Sequence, residues 1–580
     1  MKLSEIWDLE SIFSGGSCSS SFQATYKETE KKIETLNTFL SKKKYSDAIP
    51  LMQDIGKILR EMDSFAGCLL SQNVNDVEAT KRVAEMNLLQ TSFSNCHAIF
   101  EAELRELPAA KFEELLKTFP SIAFILKEKR QLALNKLSAN EELFINQLSL
   151  DGYHGWYQLW EASIGEMTFT FHGDNLYFGQ IENKLSDPNR EVRKKAFEAI
   201  TKEFKKRQAS IAQALNHLAG FRLQVYHKRG WKDVLKEPLE INRLSNASLM
   251  AMWNAVKDHQ DCLLSFFECK STLLGLGKLF WWDLEAPLSP LTEEISFQAA
   301  ADAIVEHFQT FSPKMAAFAK HAFKNRWIEA EDRKGKASGG YCSFLPCSNQ
   351  SRIFMTFSKT ITNLYTLAHE LGHAFHNEVF TPLEEMVQHP SMGLAETAST
   401  MAEMIVTRQA IQKEHDPKKR LLLLDDHLTR SCSYLMNIYA RFLFETKLYA
   451  KRSEEFVSHE DLSLMMEEAQ KEAYRNALEN YHPLFWATKV HFYLTPIPFY
   501  NFPYTFGYLF SLGVFTYMNQ LPDKEAAYIA LLQDTGRMNS EDLAKKHLNV
   551  DLTTPIFWQQ GLEIIKHDIK EFTQLAKEFS

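Results

Sequence analysis

The stretch LAHELGHAFH, from Leu367 to His376, places three histidines and a glutamate in an apolar, helix-favouring run. Within it, His369 and His373 stand four residues apart, and Glu370 follows the first of them. On a helix, residues with this spacing share one face, so both imidazoles can reach one metal ion while the carboxylate projects beside it. The pattern therefore predicts a buried helix that binds zinc. The alternative is a solvated polar helix face with paired side chains.

A second helix is predicted at residues 391–412, SMGLAETASTMAEMIVTRQAIQ, and it carries two carboxylates on one face. Glu396 and Glu403 are seven residues apart, which leaves them about 20° apart around the helix axis. Because a catalytic zinc usually has three protein ligands and one open position, we expect Glu396 to be the third ligand of one zinc ion per chain. We expect Glu403 to orient a ligating histidine. The alternative is an ordinary pair of surface carboxylates.

Most of the remaining chain shows the apolar periodicity of helices, which predicts a mostly α fold. Two extended segments interrupt this pattern just before the histidine-rich helix. A glycine-rich stretch occupies residues 331–344, EDRKGKASGGYCSF, and RIFMTF at residues 352–357 has the composition of a short strand. We therefore expect a small β element beside the zinc-binding helix. It is either an ordinary hairpin or a strand edge that holds a peptide through main-chain hydrogen bonds.

A boundary between two regions is predicted near a helix start. In SDPNREVRKKAFEAI, residues 186–200, Ser186 or Asp187 can cap a helix, and Pro188 suits its first turn. The two predicted regions are an N-terminal helical lobe at residues 1–185 and a catalytic region at residues 186–580.

Composition and charge exclude some classes of protein. The 580 residues are 45% hydrophobic, which is enough for a large buried core. The 65 basic and 74 acidic residues give a net charge of −9, and no Lys/Arg block is long enough to follow a phosphate backbone. We therefore expect no nucleic-acid partner.

The compartment is predicted from three further features. The N-terminal residues lack the apolar core of a signal peptide, and no run approaches the roughly 18 apolar residues of a membrane-spanning helix. The eight cysteines form no C-x-x-C pair, which favours free thiols in a reducing compartment. We expect a cytoplasmic protein with no membrane partner.

An aromatic block occupies residues 489–515, KVHFYLTPIPFYNFPYTFGYLFSLGVF. Its tyrosines include Tyr500, Tyr504 and Tyr508, and His491 lies beside them. In a peptidase, such donors can face the oxyanion of a tetrahedral intermediate. The alternative is aromatic core packing, which is the better interpretation of any single tyrosine taken alone.

Several of these stretches, in the same order along the chain, resemble the oligoendopeptidase F family, relatives of thimet oligopeptidase and neurolysin. They are WDLESIF, SDPNREVRKKAFEA, WWDLEAPL, DRKGKASGGYC, TLAHELGHAFH, GLAETAST and FYNFPYTFGYLFSLG. The resemblance implies zinc bound by His369, His373 and Glu396, with Glu370 as general base. It also implies a large helical, two-lobed body with a deep channel that admits short peptides as substrates.

The resemblance implies roles for residues outside the two metal-binding helices. Gly339, Gly340 and Tyr341 match a segment that lies near the bound peptide. Tyr508 and a nearby histidine, here His491, would assist the transition state. Tyr500 and Tyr504 are further candidates for contact with substrate.

One residue departs from the resemblance. Thr360 or Thr362 can begin the histidine-rich helix, and Asn363 stands early in it, where we expect an acidic residue. The departure concerns the surroundings of the metal and leaves the ligands unchanged.

The expected function is therefore a zinc-dependent endopeptidase that hydrolyses internal bonds of short oligopeptides, and two other functions fit the same sequence. A zinc carboxypeptidase of similar helical fold also uses H-E-x-x-H and a later glutamate. A helical peptide-binding scaffold could retain the metal as a structural ion, but a structural site needs no base, and Glu370 is intact. The sequence does not decide the oligomeric state.

Overall fold

The structure is a computed structural model that describes residues 2–289 and 294–579. Helices make up 71% of it, about twice the helical share of an average globular protein. The predicted mostly α fold is therefore confirmed. Within the described residues, no helix combines the length and the apolarity that crossing a membrane requires.

The chain folds into two compact units, and each unit takes three segments of the chain. The first unit consists of Met1–Lys136, Glu293–Gln409 and Tyr517–Leu548. The second unit consists of Leu137–Thr292, Ala410–Thr516 and Asn549–Ser580. The sequence suggests a boundary at residue 185, and this residue lies inside the second unit. A single boundary cannot divide this chain into its two units, because each unit contains three separate segments.

The helices and strands follow one another along the described chain in this order. The N-terminal segment forms α1 (Ser20–Ser41), α2 (Tyr45–Gln72), α3 (Val77–Glu106), α4 (Ala109–Thr118) and α5 (Ala123–Leu134). The second unit begins with α6 (Ala139–Ser149), α7 (Gly155–Gly165), β1 (Phe169–Phe171), β2 (Asp174–Leu176), α8 (Phe178–Glu182), α9 (Arg190–Lys228), α10 (Lys236–Ile241), α11 (Asn246–Asp258) and α12 (Gln260–Leu273).

The chain then returns to the first unit and later completes both units. The returning segment forms α13 (Phe297–Phe311), α14 (Pro313–Lys324), β3 (Ile328–Glu329), β4 (Tyr341–Leu345), β5 (Gln350–Phe354), α15 (Ile361–Phe380) and α16 (Met392–Lys413). The remaining elements are α17 (Pro417–Cys432), α18 (Ile438–Arg452), α19 (His459–Ala473), α20 (Phe485–Thr488), α21 (Phe502–Met518), α22 (Lys524–Asp534), α23 (Ser540–Leu548) and α24 (Pro555–Ala576).

A small sheet lies beside the histidine-rich helix, as predicted. Its strand order is β3-β5-β4, with β3 parallel and β4 antiparallel to β5. The β4–β5 register pairs Tyr341 with Phe354 and Leu345 with Gln350. Helix α15 packs against both strands. Strand β4 has a partner on one side only, so it is an edge strand of this sheet.

The core of the first unit connects this sheet to the N-terminal helices. Phe13, Phe22 and Phe65 pack together with ring centroids 5.0–5.9 Å apart. Leu345 of β4 and Phe354 of β5 belong to the same buried cluster. Burial of each such side chain contributes roughly 1.5–3 kcal/mol to folding. The sheet is therefore fixed to a large apolar core on one side and to α15 on the other.

Helix α9 begins two or three residues later than the sequence suggests. Its cap is Asn189, whose side chain accepts a hydrogen bond from the Glu191 backbone N–H at 3.0 Å. Ser186 instead ends a short 3-10 turn, and the Asp187 carboxylate accepts from the Asn189 N–H at 2.8 Å. Pro188 therefore precedes the cap, and the expectation that Ser186 or Asp187 caps the helix is wrong. Ser186, Asp187 and Asn189 are all good capping residues, so the sequence allows more than one start, and the structure uses the last of them.

Candidate metal centre

The histidine-rich helix α15 begins at Thr360, one of its two predicted starts. The Thr360 hydroxyl oxygen accepts a hydrogen bond from the Asn363 backbone N–H at 3.2 Å. The Asn363 side-chain oxygen accepts in return from the backbone N–H groups of Ser358 and Thr360, at 2.7 and 3.4 Å. This reciprocal pair satisfies N–H groups that a helix start leaves without partners. Asn363, the departure from the expected acidic residue, therefore caps the helix.

Helix α15 buries the face that its periodicity predicts. Its apolar side chains there are at most 5% exposed: Leu364, Leu367, Ala368, Leu371 and Phe375. Glu370 is 6% exposed, whereas the side chains of His369 and His373 keep 21% and 22% of their surface exposed. The helix is thus held firmly by its apolar face, and its two imidazoles remain accessible to an ion.

Helix α16 presents both predicted carboxylates to α15. Glu403 Oε1 lies 2.6 Å from His369 Nδ1, a distance typical of a charge-assisted hydrogen bond. This contact leaves His369 Nε2 facing Glu396, whose Oε2 is 3.6 Å away. The other oxygen of Glu396 is 4.0 Å from His373 Nε2. Glu403 therefore orients one imidazole, and Glu396 lies next to both.

The three side chains fit a zinc ion. One ligand atom from each of His369, His373 and Glu396 lies within 4.8 Å of the other two. Ligand atoms of a tetrahedral zinc ion stand about 3.4 Å apart, since the bonds are about 2.0–2.1 Å long. The side chains would need to contract only slightly. Two imidazoles and one carboxylate are also the donors of catalytic zinc sites with an open position. No other group of three such side chains meets this criterion in the described parts of the chain.

A glycine lets α15 and α16 approach closely enough for these contacts. A Cβ atom on Gly372 would lie 2.6 Å from the Ala398 carbonyl oxygen and 2.8 Å from Ala402 Cβ. Both separations are shorter than van der Waals contact, so any side chain at Gly372 would push the helices apart. A glycine inside a helix costs roughly 1 kcal/mol relative to alanine. The close helix crossing offsets that cost.

Burial and neighbouring charges set the electrostatics of the cluster. Burial lowers the pKa of His369, but the carboxylates of Glu403, Glu396 and Glu370 outweigh it and raise this pKa to about 10. Burial lowers the pKa of His373 well below its ordinary value, and His369 lowers it further. Burial raises the pKa of Glu370 to about 7 and also raises the pKa of Glu396. Acidic groups thus crowd around the imidazoles, an arrangement that a divalent cation would neutralise.

The predicted glycine segment adjoins Glu370. A Cβ atom on Gly340 would lie 3.6 Å from Glu370 Oε1 and 3.4 Å from the Phe354 carbonyl oxygen. Gly339 has a φ of +93°, a left-handed conformation that glycine adopts at little cost. The chain therefore turns at Gly339 and enters β4 directly beside the Glu370 carboxylate. A larger residue at Gly340 would occupy the space next to that carboxylate.

The Tyr341 side chain does not face the metal centre. Its ring stacks on Phe354 with centroids 5.3 Å apart, and its hydroxyl lies 3.9 Å from Cys68 Sγ of α2. Side chains alternate along a strand, so the next residue, Cys342, faces α15, where the Asn377 amide nitrogen is 3.7 Å from its Sγ. Tyr341 is the one predicted peptide-binding residue that lies in β4. Because its side chain packs elsewhere, a contact of Tyr341 with a peptide would be made by its backbone.

The third histidine of the opening stretch has a structural role. His376 is 3% exposed, and its Nε2 lies 2.9 Å from Thr535 Oγ and 3.3 Å from the Leu532 carbonyl oxygen. Burial lowers the pKa of His376 to about 4, so the ring is neutral at pH 7. His376 therefore fastens α15 to the end of α22 and takes no part in the ligand cluster.

The aromatic block contributes a separate cluster in the second unit. The His491 ring lies 5.5 Å from the Tyr500 ring and 5.9 Å from the Tyr504 ring, and the two tyrosine rings are 5.7 Å apart. Tyr508 is placed differently. Its hydroxyl lies 2.7 Å from Ser431 Oγ, and its ring stacks on Tyr434 with centroids 4.6 Å apart. The structure thus brings Tyr500 and Tyr504 to His491, and it buries Tyr508 in another contact.

Sequence reasoning did not identify two residues that shape the metal centre. Gly372 carries a readable signal, because a glycine in the middle of an otherwise strong helix requires a close approach. Ser399 carries none. Its hydroxyl lies 3.4 Å from Glu396 Oε2 and donates to the Glu396 carbonyl oxygen at 2.9 Å. That contact depends on a rotamer that a sequence does not specify.

Comparison with known proteins shows similarity over most of the chain. Residues 184–548 match Peptidase family M3, and residues 103–169 match Oligopeptidase F. Group B oligopeptidase PepB of Streptococcus agalactiae serotype III (strain NEM316) is 22% identical over 550 residues, which cover 90% of this chain and 88% of that protein. An oligoendopeptidase F homolog of Lactococcus lactis subsp. lactis (strain IL1403) is 23% identical over 98% of this chain and 97% of its own.

A solved structure shows the same fold. The crystal structure of oligoendopeptidase-F from Enterococcus faecium superimposes with a TM-score of 0.71 and 18% sequence identity. The superposition covers 96% of this chain and 99% of that chain.

Proposed function

The chain belongs to peptidase family M3 and is a peptidase, and we propose that it is a zinc-dependent endopeptidase that hydrolyses internal bonds of short oligopeptides. The observation that carries the proposal is the convergence of His369, His373 and Glu396 within 4.8 Å. A fourth residue, Glu370, lies on the same helix between the two histidines. A structural metal site has no use for such a carboxylate, whereas hydrolysis requires a base.

In this proposal, His369, His373 and Glu396 would hold one zinc ion per chain, and Glu403 would orient His369. Zinc in a site of this kind is a Lewis acid that lowers the pKa of a water molecule toward 7 and polarises a peptide carbonyl. Glu370 accepts the proton of the attacking water and passes it to the departing amine. The Glu370 side chain is buried on the side of α15 that faces Gly340. This burial keeps the carboxylate in one place, which favours proton transfer at a fixed geometry.

The substrate is held by its main chain as well as by side chains. We propose that an extended peptide lies along the edge strand β4 and forms main-chain hydrogen bonds there. Gly339 and Gly340 lead into this strand, and the small volume at Gly340 leaves room beside Glu370. Binding through the main chain is compatible with many peptide sequences, which suits an enzyme that degrades short peptides.

A second set of groups would stabilise the transition state. The resemblance assigns this role to Tyr508 and His491, with Tyr500 and Tyr504 as substrate contacts. The rings of Tyr500 and Tyr504 lie beside His491, and we propose these two residues as candidates for the hydroxyl that donates to the oxyanion. Tyr508 is the weaker choice because it is 7% exposed and its hydroxyl already has a partner in Ser431. A donor of this kind is worth on the order of 3 kcal/mol of barrier.

We further place the enzyme in the cytoplasm. All eight cysteines are free thiols, which suits a reducing compartment. Short peptides are the expected partners, and neither nucleic acid nor membrane is expected.

The decisive experiment uses a quenched fluorescent peptide with both ends blocked. We expect the purified protein to contain one zinc per chain and to cleave an internal bond of this peptide. A chelator should abolish cleavage, and added zinc should restore it. A carboxypeptidase would leave the blocked peptide intact and shorten a peptide with a free C-terminus. A scaffold with a structural ion would keep its zinc and cleave neither peptide, and either of these results would refute the proposal.

A further inference from the structure

A cavity of about 330 Å³ lies within the second unit. This volume falls in the range of small-molecule binding sites, about 300–1,000 Å³. Aromatic side chains form much of its wall, among them Trp281, Trp282 and Phe485. Such walls favour a ligand with an aromatic or large aliphatic group. None of the residues lining this cavity belongs to the metal centre.

One buried cation faces the cavity. Arg441 is 9% exposed, and its Nε donates to the Asn437 side-chain oxygen at 2.8 Å. Its Nη1 donates to the Asn501 side-chain oxygen at 3.2 Å, and within the described residues Nη2 has no hydrogen-bond acceptor. Burial lowers the pKa of Arg441 to about 10, so the guanidinium is still a cation at pH 7. A buried guanidinium with a free amino group is well suited to bind a carboxylate.

Among the other charged groups around the cavity, one carboxylate, that of Glu285, forms no salt bridge within the described residues. The Lys489 ammonium is paired with the Glu182 carboxylate. Burial lowers the pKa of His482 to about 3, so its ring is neutral at pH 7. Glu285 is exposed and accepts a hydrogen bond from Ser186 at 3.1 Å. Within the described residues it forms no salt bridge, and its carboxylate interacts with the Arg441 guanidinium through charge alone. The cavity therefore offers one cation and one anion to a ligand.

A distorted helical turn at the wall of the cavity is a second observation that points to a functional site there. Residues Ser433–Asn437, between α17 and α18, form a π-helical turn. Both end residues of this turn line the cavity, and Asn437 also accepts from Arg441. Turns of this kind are rare and occur frequently at functional sites. The π-helical turn holds one extra residue. In an undistorted helix, the side chains that follow it would point in directions rotated by about 100° around the helix axis.

We propose that this cavity binds a small zwitterion with an apolar side chain, either a free amino acid or a dipeptide. Its carboxylate pairs with the Nη2 amino group of Arg441, its ammonium faces Glu285, and its side chain packs on Trp281 and Trp282. The Phe485 ring instead supports the cation, since Arg441 and Lys489 lie over it at 5.1 and 5.3 Å from its centroid. A phosphate or another dianion fits less well, because Glu182 and Glu285 would repel it. The site is independent of the metal centre and does not depend on the proposed hydrolysis.

The first test compares three probes of the same size class: L-phenylalanine, N-acetyl-L-phenylalanine and L-phenylalanine amide. Binding is measured by calorimetry on the full-length protein. The change in total tryptophan fluorescence, to which Trp281 and Trp282 contribute among ten tryptophans, gives a second readout. Phenylalanine should bind most tightly, and loss of either charge should weaken binding at least about tenfold, as expected for a charge-assisted contact. Equal binding of all three probes, or no binding, would overturn the proposal.

The second test locates the site. Ser433 is exposed and lines the cavity, so Ser433→Trp should fill it and abolish phenylalanine binding. Ser210 is an exposed serine of α9 away from the cavity, and Ser210→Trp is the matched control that should bind normally. Unchanged affinity in Ser433→Trp would show that the ligand binds elsewhere.

A milder variant guards against misfolding at the π-helical turn. Glu285→Gln changes an exposed side chain, and it should weaken phenylalanine binding about tenfold. The same variant should leave the affinity for N-acetyl-L-phenylalanine unchanged, because that probe has no ammonium group. Equal losses for both probes would contradict the assignment of Glu285.

Discussion

Two regions hold the candidate catalytic side chains, and they are built in different ways. In the helix pair α15 and α16, ligands lie on regular helices that cross closely at Gly372. In the segment from His491 to Tyr508, short turns bring rings together, and Phe499 adopts a left-handed φ of 53°. Regular helices translate residue spacing into geometry, whereas irregular turns depend on tertiary contacts. The metal ligands could therefore be identified from spacing, and the choice among the tyrosines could not.

The largest effect is expected in the helix pair itself. Glu370→Gln removes the base but retains a side chain of the same shape, so we expect zinc to stay bound and kcat to fall about 10³-fold or more. Turnover of the quenched peptide and zinc content are measured on the same sample. Glu378→Gln, an exposed change on the same helix, is the control and should retain full turnover. An active, zinc-loaded Glu370→Gln variant would remove Glu370 from the mechanism.

The next effect distinguishes two tyrosines of the aromatic segment. Tyr504→Phe should lower kcat about 10²-fold with little change in KM, since an oxyanion donor acts mainly in the transition state. Tyr508→Phe should lose the hydrogen bond with Ser431, at a cost of about 1 kcal/mol in stability, and retain kcat. Steady-state kinetics of both variants measures the difference. A large kcat loss confined to Tyr508→Phe would restore the role that the family resemblance suggests.

A smaller effect is expected from widening the helix pair. Gly372→Ala places a Cβ against the Ala398 backbone, which should destabilise the protein by about 1–3 kcal/mol and weaken zinc binding. Urea denaturation and zinc titration measure the two effects. Gly67→Ala in α2, where no atom lies within 4 Å of the new Cβ, is the control and should be neutral or slightly stabilising. If both variants behave alike, the close helix crossing is not what Gly372 provides.

The smallest expected effect is on stability and concerns Glu445, which supports the aromatic segment. Glu445 is 2% exposed and accepts a hydrogen bond from the Phe499 backbone N–H at 3.1 Å. Burial raises the pKa of Glu445 to about 7, above its ordinary value of about 4.3. Between these two pH values the folded protein binds more protons than the unfolded chain, so this carboxyl's contribution to stability is lost as pH rises toward 8.

Replacement of this carboxyl should remove that dependence on pH. Glu445→Gln retains an acceptor for Phe499 and cannot ionise, so its stability should fall less between pH 5 and pH 8 than that of the unchanged protein. Urea denaturation midpoints at both pH values measure this. Glu454→Gln, an exposed change shortly after α18, should retain the original dependence. Parallel midpoints for Glu445→Gln and the unchanged protein would mean that Glu445 does not titrate in this range.

Much of the metal centre was predictable because its elements are local. The buried leucine face of α15 and the shared face of Glu396 and Glu403 on α16 follow from helical periodicity, and capping limited the start of α15 to Thr360 or Thr362. That Glu403 reaches His369 depends on how the two helices cross. The cap of α9 was not predictable, because Ser186, Asp187 and Asn189 are all good capping residues. The position of Tyr341 near a bound peptide stays a prediction, and the sequence did not indicate that its ring would stack on Phe354.

By itself, the sequence determined the helical class, the pairing of two imidazoles on one face and the second helix that brings a carboxylate. These features follow from the 3.6-residue period, which acts within one helix. Only the tertiary structure decided how two distant helices cross at Gly372, which tyrosines surround His491 and that a charged cavity surrounds Arg441. Each of these depends on contacts between residues far apart in the chain, whose separation no local period specifies.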